Sequence, residues 1–270
     1  MITESTRSGT LLGGGSILVV AASLLAACSV ALAQAGPTQS FESGVKQTTL
    51  LELYTAEGCS SCPPADAWLG RFTDNDALWH RIVPVAFHVT YWDQYGWVDP
   101  YARTEYTRRQ RDYASRRSNG VAYTPNFIRN GHDWRLWFRH PRPSPIEPLD
   151  VEADAGVLRV TLDGDAVGAL FAPPATIDGA LDLHIAVLAF GLSKVISAGE
   201  NTGRRLRHDF VVIGENTTPL VDADSGYTAT AILPATMTVD ASRYAFAAWV
   251  ESRANMQTYQ ATGGWLAAAP

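Results

Sequence analysis

Cysteine is scarce in this chain, with three in 270 residues, and the first of them, Cys28, lies inside an N-terminal apolar stretch. The remaining pair, Cys59 and Cys62, excludes a multiply bridged scaffold, and with two residues between them it closes almost no loop. Chemistry explains that spacing better than stability does. Positive charge is also short: the net charge is −6, which argues against a nucleic-acid partner, since that needs a basic surface. The arginines gathered at 103–117 and 204–207 read as a solvated helix face and a hairpin edge. Beyond residue 35 no run is long and apolar enough to cross a membrane. There is no internal repeat and no low-complexity tract, so solenoid and disordered classes are set aside.

The chain opens on an export signal: Arg7, an apolar stretch from Ile17 to Ala33, and the small-residue site Ala33-Gln34-Ala35. Residues 1–35 are therefore read as a signal peptide, and the mature protein as periplasmic or secreted. Two alternatives stay open. Leu11 to Ala33 approaches the length of a membrane anchor, though Gly13-Gly14-Gly15 interrupts it. Leu25-Ala26-Ala27-Cys28 resembles a lipoprotein cleavage motif, which would put a lipid anchor on Cys28.

The roughly 235 residues that follow are enough for two cores. Thr48 to Thr55 and Ile82 to Val89 are nearly continuous apolar runs suited to buried strands, with helical spacing between them in Ala65, Trp68, Leu69 and Phe72. Strand, helix and strand place the two strands parallel. A second helix is expected from Tyr101 to Arg117, with Asp99 as a cap. Residues 139–150 carry four prolines and read as an extended linker. After it come short strand patterns at Val157–Leu162, Leu181–Phe190, Leu206–Ile213, Tyr227–Leu233 and Tyr244–Val250, which suggest an antiparallel β-sandwich over 151–270.

Pro63 and Pro64 follow Cys62 at once, and proline fits only the first turn of a helix, so the helix is expected to begin at Ser60 or Ser61. Cys59 would then stand just outside a helix N-terminus, where unpaired N–H groups stabilise a thiolate. Cys62 would resolve the mixed disulfide that Cys59 forms with a partner.

The series of strand, C-x-x-C, helix, strand, helix and then Gly120-Val121-Ala122-Tyr123-Thr124-Pro125 before a strand ending at Asn130-Gly131 resembles the thioredoxin fold. The expected fold class is thus an α/β thioredoxin-like domain over 45–138 followed by an all-β, sandwich-like domain. More closely, Leu51-Glu52-Leu53-Tyr54-Thr55-Ala56-Glu57-Gly58-Cys59-Ser60-Ser61-Cys62-Pro63-Pro64-Ala65-Asp66 and His88-Val89-Thr90-Tyr91-Trp92-Asp93 resemble domain-of-unknown-function family 1223, a secreted family, over most of the mature chain. That resemblance implies a fold and an export route and supplies no substrate. The thioredoxin resemblance implies a cis proline at Pro125 and a Thr124 backbone that pairs with bound peptide; a trans proline opening an edge strand is the alternative. Two features depart from thioredoxins. Gly58 stands where they carry an aromatic residue, and Leu53 where they carry a buried acid, with Glu52 on the other face.

His88, Trp92 and Asp93 fall at or just after the carboxyl end of the second parallel strand, the edge where open α/β sheets place ligands. His88 or Asp93 is a candidate for proton transfer, and Trp92 for the substrate wall. A core histidine, a turn-capping acid and, for Trp92, packing between the two domains are the alternatives. Three functions follow. The first is a thiol–disulfide oxidoreductase acting on a protein dithiol or disulfide, using Cys59 and Cys62 with Thr124-Pro125 as guide and no organic cofactor. The second is a binding or assembly protein with a vestigial disulfide. The third is a copper chaperone whose ligands are Cys59, Cys62 and His88. The segment Gly199-Glu200-Asn201-Thr202-Gly203 resembles one shared by family 1223, and physically it reads as a turn without chemistry.

Overall fold

Two seven-residue runs organise the fold. Thr49–Thr55 and Ile82–His88 are rich in apolar and β-branched residues, and each of their positions is buried, which requires cover on both faces of their sheet. The computed structural model describes residues 38–139, 153–267 and 269–270. The expected export signal, the alternative lipid site at Cys28 and all but the first residue of the expected proline-rich linker lie outside the described residues.

In chain order the first half supplies β1 (Gln39–Glu42), β2 (Thr49–Thr55), α1 (Pro63–Gly70), β3 (Ile82–His88), α2 (Thr104–Ser115), β4 (Asn126–Arg129) and β5 (His132–Asp133). The second half supplies β6 (Val157–Asp163), β7 (Ala166–Ala172), β8 (Leu181–Phe190), β9 (Leu192–Val195) and β10 (Arg205–His208). It continues with β11 (Val211–Pro219), β12 (Val221–Ala223), β13 (Gly226–Ile232), β14 (Arg243–Ser252) and β15 (Thr258–Trp265). Eight strands form the main sheet in the spatial order β15, β14, β8, β11, β3, β2, β4, β5. Within it β2 and β3 run parallel, as the strand–helix–strand order predicts, and β3 is also parallel to β11. The other neighbours are antiparallel. A second, five-stranded antiparallel sheet has the order β1, β6, β7, β13, β12, and β9 pairs with β10 alone.

The two sheets divide the core. In β6 and β7 buried and less buried positions alternate, and their inner residues Val160, Val167 and Phe171 join Phe41 in packing on Ile185, Phe246 and Val250 of β8 and β14. A second cluster gathers Trp68, Phe72, Phe87 and Phe127 with Phe190, Phe210 and Trp249. Both cores therefore draw side chains from both halves of the sequence.

This architecture overturns the expected α/β thioredoxin-like domain followed by an all-β domain. Strand far outweighs helix among the described residues, which hold two α-helices. The second half's β11 pairs with β3, and β1 of the first half pairs with β6. Periodicity identifies a strand but not its neighbour, and the edge of β3 is completed from the far half of the chain. The expected strand Leu206–Ile213 is likewise split: Phe210 takes φ +60° and its carbonyl accepts the Ala86 N–H at 2.8 Å, which separates β10 from β11. Among the described residues no helix is long and apolar enough to cross a membrane.

Candidate functional site

The sheet register assembles the site at one strand end. Thr55, the last residue of β2, lies opposite His88 of β3, and Tyr54 lies opposite Asn126, the first residue of β4. Beyond Thr55 the chain turns tightly, with Cys59 N–H donating to Ala56 O at 3.1 Å and Cys62 N–H to Cys59 O at 3.2 Å. Cys59 and Cys62 are joined in a disulfide with their Cα atoms 5.4 Å apart. Both are wholly buried, while Ser60 and Ser61 between them are exposed. The Ser61 hydroxyl lies 3.3 Å from Cys59 Sγ.

The helix begins later than expected, at Pro63, with Cys62 as its N-cap. Pro63 and Pro64 have no N–H to donate, so Ala65 and Asp66 supply the first donors, both to Cys62 O at 2.8 and 3.1 Å. Cys62, rather than Cys59, stands against the helix start.

Gly58 makes room for an aromatic side chain that arrives from elsewhere. A Cβ at Gly58 would lie 3.2 Å from Cβ of Trp92, and Trp92 Nε1 donates to Thr124 Oγ1 at 2.7 Å. The Thr124–Pro125 peptide is cis. Trp92, Thr124 and Pro125, each partly buried, thus form one wall beside the loop that carries the cysteines.

His88 and Asp93 are linked through Asp99, which stands here in place of the expected helix cap. His88 Nδ1 lies 2.7 Å from Asp99 Oδ2, and Asp99 N–H donates to Asp93 Oδ1 at 3.1 Å. Asp99 also accepts from the Glu57 and Tyr101 N–H groups at 2.8 and 3.0 Å. The second helix consequently starts at Thr104, past this turn, and its N-cap is Arg103. Burial pushes the Asp99 carboxyl up, but the neighbouring His88 and these donors hold it below its ordinary value. Burial raises the Asp93 carboxyl above its ordinary value.

Beneath the C-x-x-C loop lies a buried polar cluster. Glu57 is wholly buried and accepts from Trp97 Nε1 at 2.8 Å. His208 of β10 stands between two carboxylates, Nε2 3.4 Å from Glu57 Oε1 and Nδ1 3.5 Å from Asp66 Oδ1, distances of ion pairs rather than of well-formed hydrogen bonds. Burial pushes the His208 imidazolium down, yet Asp66 and Glu57 outweigh it and bring its pKa up to about 10. Thr55 Oγ1 donates to Asp66 Oδ2 at 2.8 Å, and the His88 and His208 rings are 5.0 Å apart.

The turn at 199–203 grips the loop from outside. Asn201 is wholly buried, and its Nδ2 donates to Glu57 O at 2.8 Å and Cys59 O at 3.0 Å. Ser60 N–H donates to Glu200 Oε2 at 3.2 Å. Asp66, Asp99, Glu200, Asn201 and His208 were all missed as site residues. A buried asparagine within a turn and a histidine among arginines have no spacing that marks them in the sequence. Among the described residues, the acid and histidine side chains close enough to share one cation are Asp66, His88 and His208, and neither cysteine belongs to that group.

Residues 50–251, from β2 to β14, match the family model DUF1223, described as a protein of unknown function. The chain is a DUF1223 protein. The match takes in the C-x-x-C loop, the Trp92 wall and the 199–203 turn together, so the DUF1223 region spans both halves of the site. Among solved structures, a protein from Agrobacterium tumefaciens is 22% identical, with 81% of this chain and 93% of that chain covered at a TM-score of 0.54. HBP35 of Porphyromonas gingivalis is 16% identical, with 84% and 77% covered at a TM-score of 0.55. Both likenesses are of fold alone. No curated protein matches the chain.

Proposed function

We propose that this protein is an exported thiol–disulfide oxidoreductase that exchanges disulfides with a protein partner through Cys59 and Cys62. The observation that carries the reading is the Cys59–Cys62 disulfide, on a turn between a strand end and a helix start, beside the half-open wall of Trp92, Thr124 and Pro125. A three-residue separation contributes little loop-closure stability, so a bond of this kind is better suited to being made and broken.

In the oxidised protein a partner thiolate attacks Cys59 Sγ, the Cys59–Cys62 bond breaks, and the electron pair leaves on Cys62. A second partner thiolate then attacks the partner sulfur of the mixed disulfide, and Cys59 departs as a thiolate. The partner loses two electrons, this protein gains them, and solvent supplies the protons the new thiols take up. In the reverse direction Cys59 attacks and Cys62 resolves. The wall of Trp92, Thr124 and Pro125 is suited to guiding an extended segment of the partner, and export through the signal ending at Ala35 would deliver the protein to a compartment where disulfides persist.

A second reading has one observation in its favour: both cysteines are wholly buried, as befits a structural bond in a binding protein. The reduction potential separates the two. Free thiols are quantified after equilibration in graded glutathione buffers, and a value between about −120 and −270 mV supports exchange. A disulfide that stays closed well below about −300 mV overturns the oxidoreductase reading in favour of the structural one.

A further inference from the structure

We propose that Asp66, His88 and His208 form a buried site for one borderline first-row divalent cation, zinc being the best match, and that the cysteines take no part in it. The ligand atoms of the three residues lie within 4.8 Å of one another, and all three side chains are buried. His88 engages Asp99 through Nδ1 at 2.7 Å, which leaves its buried Nε2 without a hydrogen-bond partner. Neither buried nitrogen of His208 has one either, with Glu57 near Nε2 and Asp66 near Nδ1.

Each imidazole therefore carries an outer carboxylate on one nitrogen, Asp99 for His88 and Glu57 for His208, and has its other nitrogen left over. Around His88 that is the arrangement by which proteins fix the tautomer of a metal-ligating histidine and aim its free nitrogen at the ion, while at His208 the carboxylate stands farther off, at 3.4 Å. Asp66 is held in the same manner: its Oδ2 accepts from Thr55, leaving Oδ1 facing His208 Nδ1. The 3.5 Å between those two atoms is close to the roughly 3.3 Å edge of a tetrahedron with bonds of about 2.0 Å.

The donor set selects the ion. Two imidazoles and one carboxylate suit zinc or copper(II); they are too few and too nitrogen-rich for magnesium or calcium, and they lack the thiolates that favour copper(I). A dication bound here takes the place of the proton that His208 carries between Glu57 and Asp66, and offsets the charge of the buried carboxylates Glu57, Asp66 and Asp99. A cleft of about 670 Å³ bordered by Pro63, Arg71 and Arg204 reaches Asp66 and His208 and gives an ion its way in.

The test uses the untagged, disulfide-bonded protein, loaded with zinc chloride, dialysed into metal-free buffer and assayed by atomic absorption. One zinc per chain is expected, and it persists in the Cys59→Ser/Cys62→Ser variant. His88→Gln and His208→Gln lower the affinity at least about 100-fold, and Asp99→Asn lowers it about 10- to 100-fold. Zinc that is not retained by the oxidised protein, that survives His208→Gln undiminished, or that disappears with the cysteines overturns the proposal. Should the histidine variants fail to fold by circular dichroism, the wild-type protein loaded with cobalt(II) decides. Visible d–d bands of a tetrahedral nitrogen–oxygen site without thiolate charge transfer support it, whereas thiolate charge transfer, or no such bands, overturns it.

Discussion

Replacing Asn201 by alanine tests whether the turn at 199–203 holds the C-x-x-C loop closed. The Asn201 amide donates to Glu57 O and Cys59 O, and its oxygen accepts from Arg204 Nη1 at 2.6 Å. Cys59 O keeps the Cys62 N–H as a second donor, so the larger loss falls on Glu57 O. A buried acceptor deprived of its partner costs about 1–3 kcal/mol. Those bonds exist only while the turn sits on the loop, so Asn201→Ala lowers the free energy of local opening by the same amount. Both cysteines are wholly buried, and reduction by dithiothreitol must proceed through such an opening. Where opening is a fast pre-equilibrium, 1–3 kcal/mol corresponds to a rate about 5- to 150-fold faster. The assay is the pseudo-first-order rate of disulfide reduction followed by thiol trapping, with the urea midpoint measured in parallel. Thr202→Ala is the control, since its hydroxyl is exposed and bonds only to the carbonyl of Gly199 within the same turn. A rate within about twofold of wild type, with the midpoint unmoved, would refute the gate, since even 1 kcal/mol of easier opening exceeds that.

Arg109 of α2 donates to Glu52 at 3.0 Å and to Glu251 at 2.5 Å, and both carboxylates are buried. Arg109→Leu strands them and should cost about 3–5 kcal/mol in urea unfolding at neutral pH. Burial pushes the Glu251 carboxyl up, but Arg109 and His184 hold it well below the usual carboxylate range. Its contribution is therefore complete above an unfolded value of about 4.3 and is lost as pH falls through the depressed folded value. The gap between wild type and Arg109→Leu should narrow in acid, and a gap that is flat with pH contradicts the assignment. Trp92→Phe keeps a ring against Gly58 and removes the bond to Thr124. Exchange with a peptide dithiol should slow about fivefold, the equivalent of about 1 kcal/mol, at constant reduction potential. A potential moved by more than about 30 mV instead would make Trp92 a support for the loop rather than part of the partner wall.

What was legible in the sequence is what local pattern encodes. The runs at β2 and β3 are apolar almost without interruption and fold within a residue of their expected bounds, and Leu181–Phe190 is a strand from end to end. The two-residue spacing of Cys59 and Cys62 and the Thr124-Pro125 step before a strand are local signals, and a disulfide and a cis peptide stand at them. Pairing between distant strands was not. Nothing in the composition of β11 says that its edge partner is β3, and β15 was missed because Gly263 and Gly264 interrupt its pattern. Those glycines are there for contact: a Cβ at Gly263 would lie 2.6 Å from the Trp79 ring, and one at Gly264 2.7 Å from the Phe41 ring. Asn201 and His208 were illegible for the same reason as β11, since their role depends on which loop faces them across the fold.

That dependence carries a last prediction. Glu57 takes Trp97 and Asp99 from its own half of the chain but His208 and Asn201 from the other. A fragment of residues 38–139 would keep the cysteines, the cis proline and Trp92. It would lose β11 from the edge of β3, Phe190, Phe210 and Trp249 from the core, the Glu251 partner of Arg109, and the imidazole between Glu57 and Asp66. Removing that cation deprives Glu57 and Asp66, both buried in the whole protein, of their countercharge, and buried carboxylates without one are strongly disfavoured. The fragment should therefore lack a cooperative thermal transition and bind anilinonaphthalene sulfonate, with its disulfide reduced as fast as that of an unfolded peptide. A fragment that melts cooperatively and keeps the reduction rate of the whole protein would mean that the first half builds the site unaided, and that the contacts of Asn201 and His208 are incidental to it.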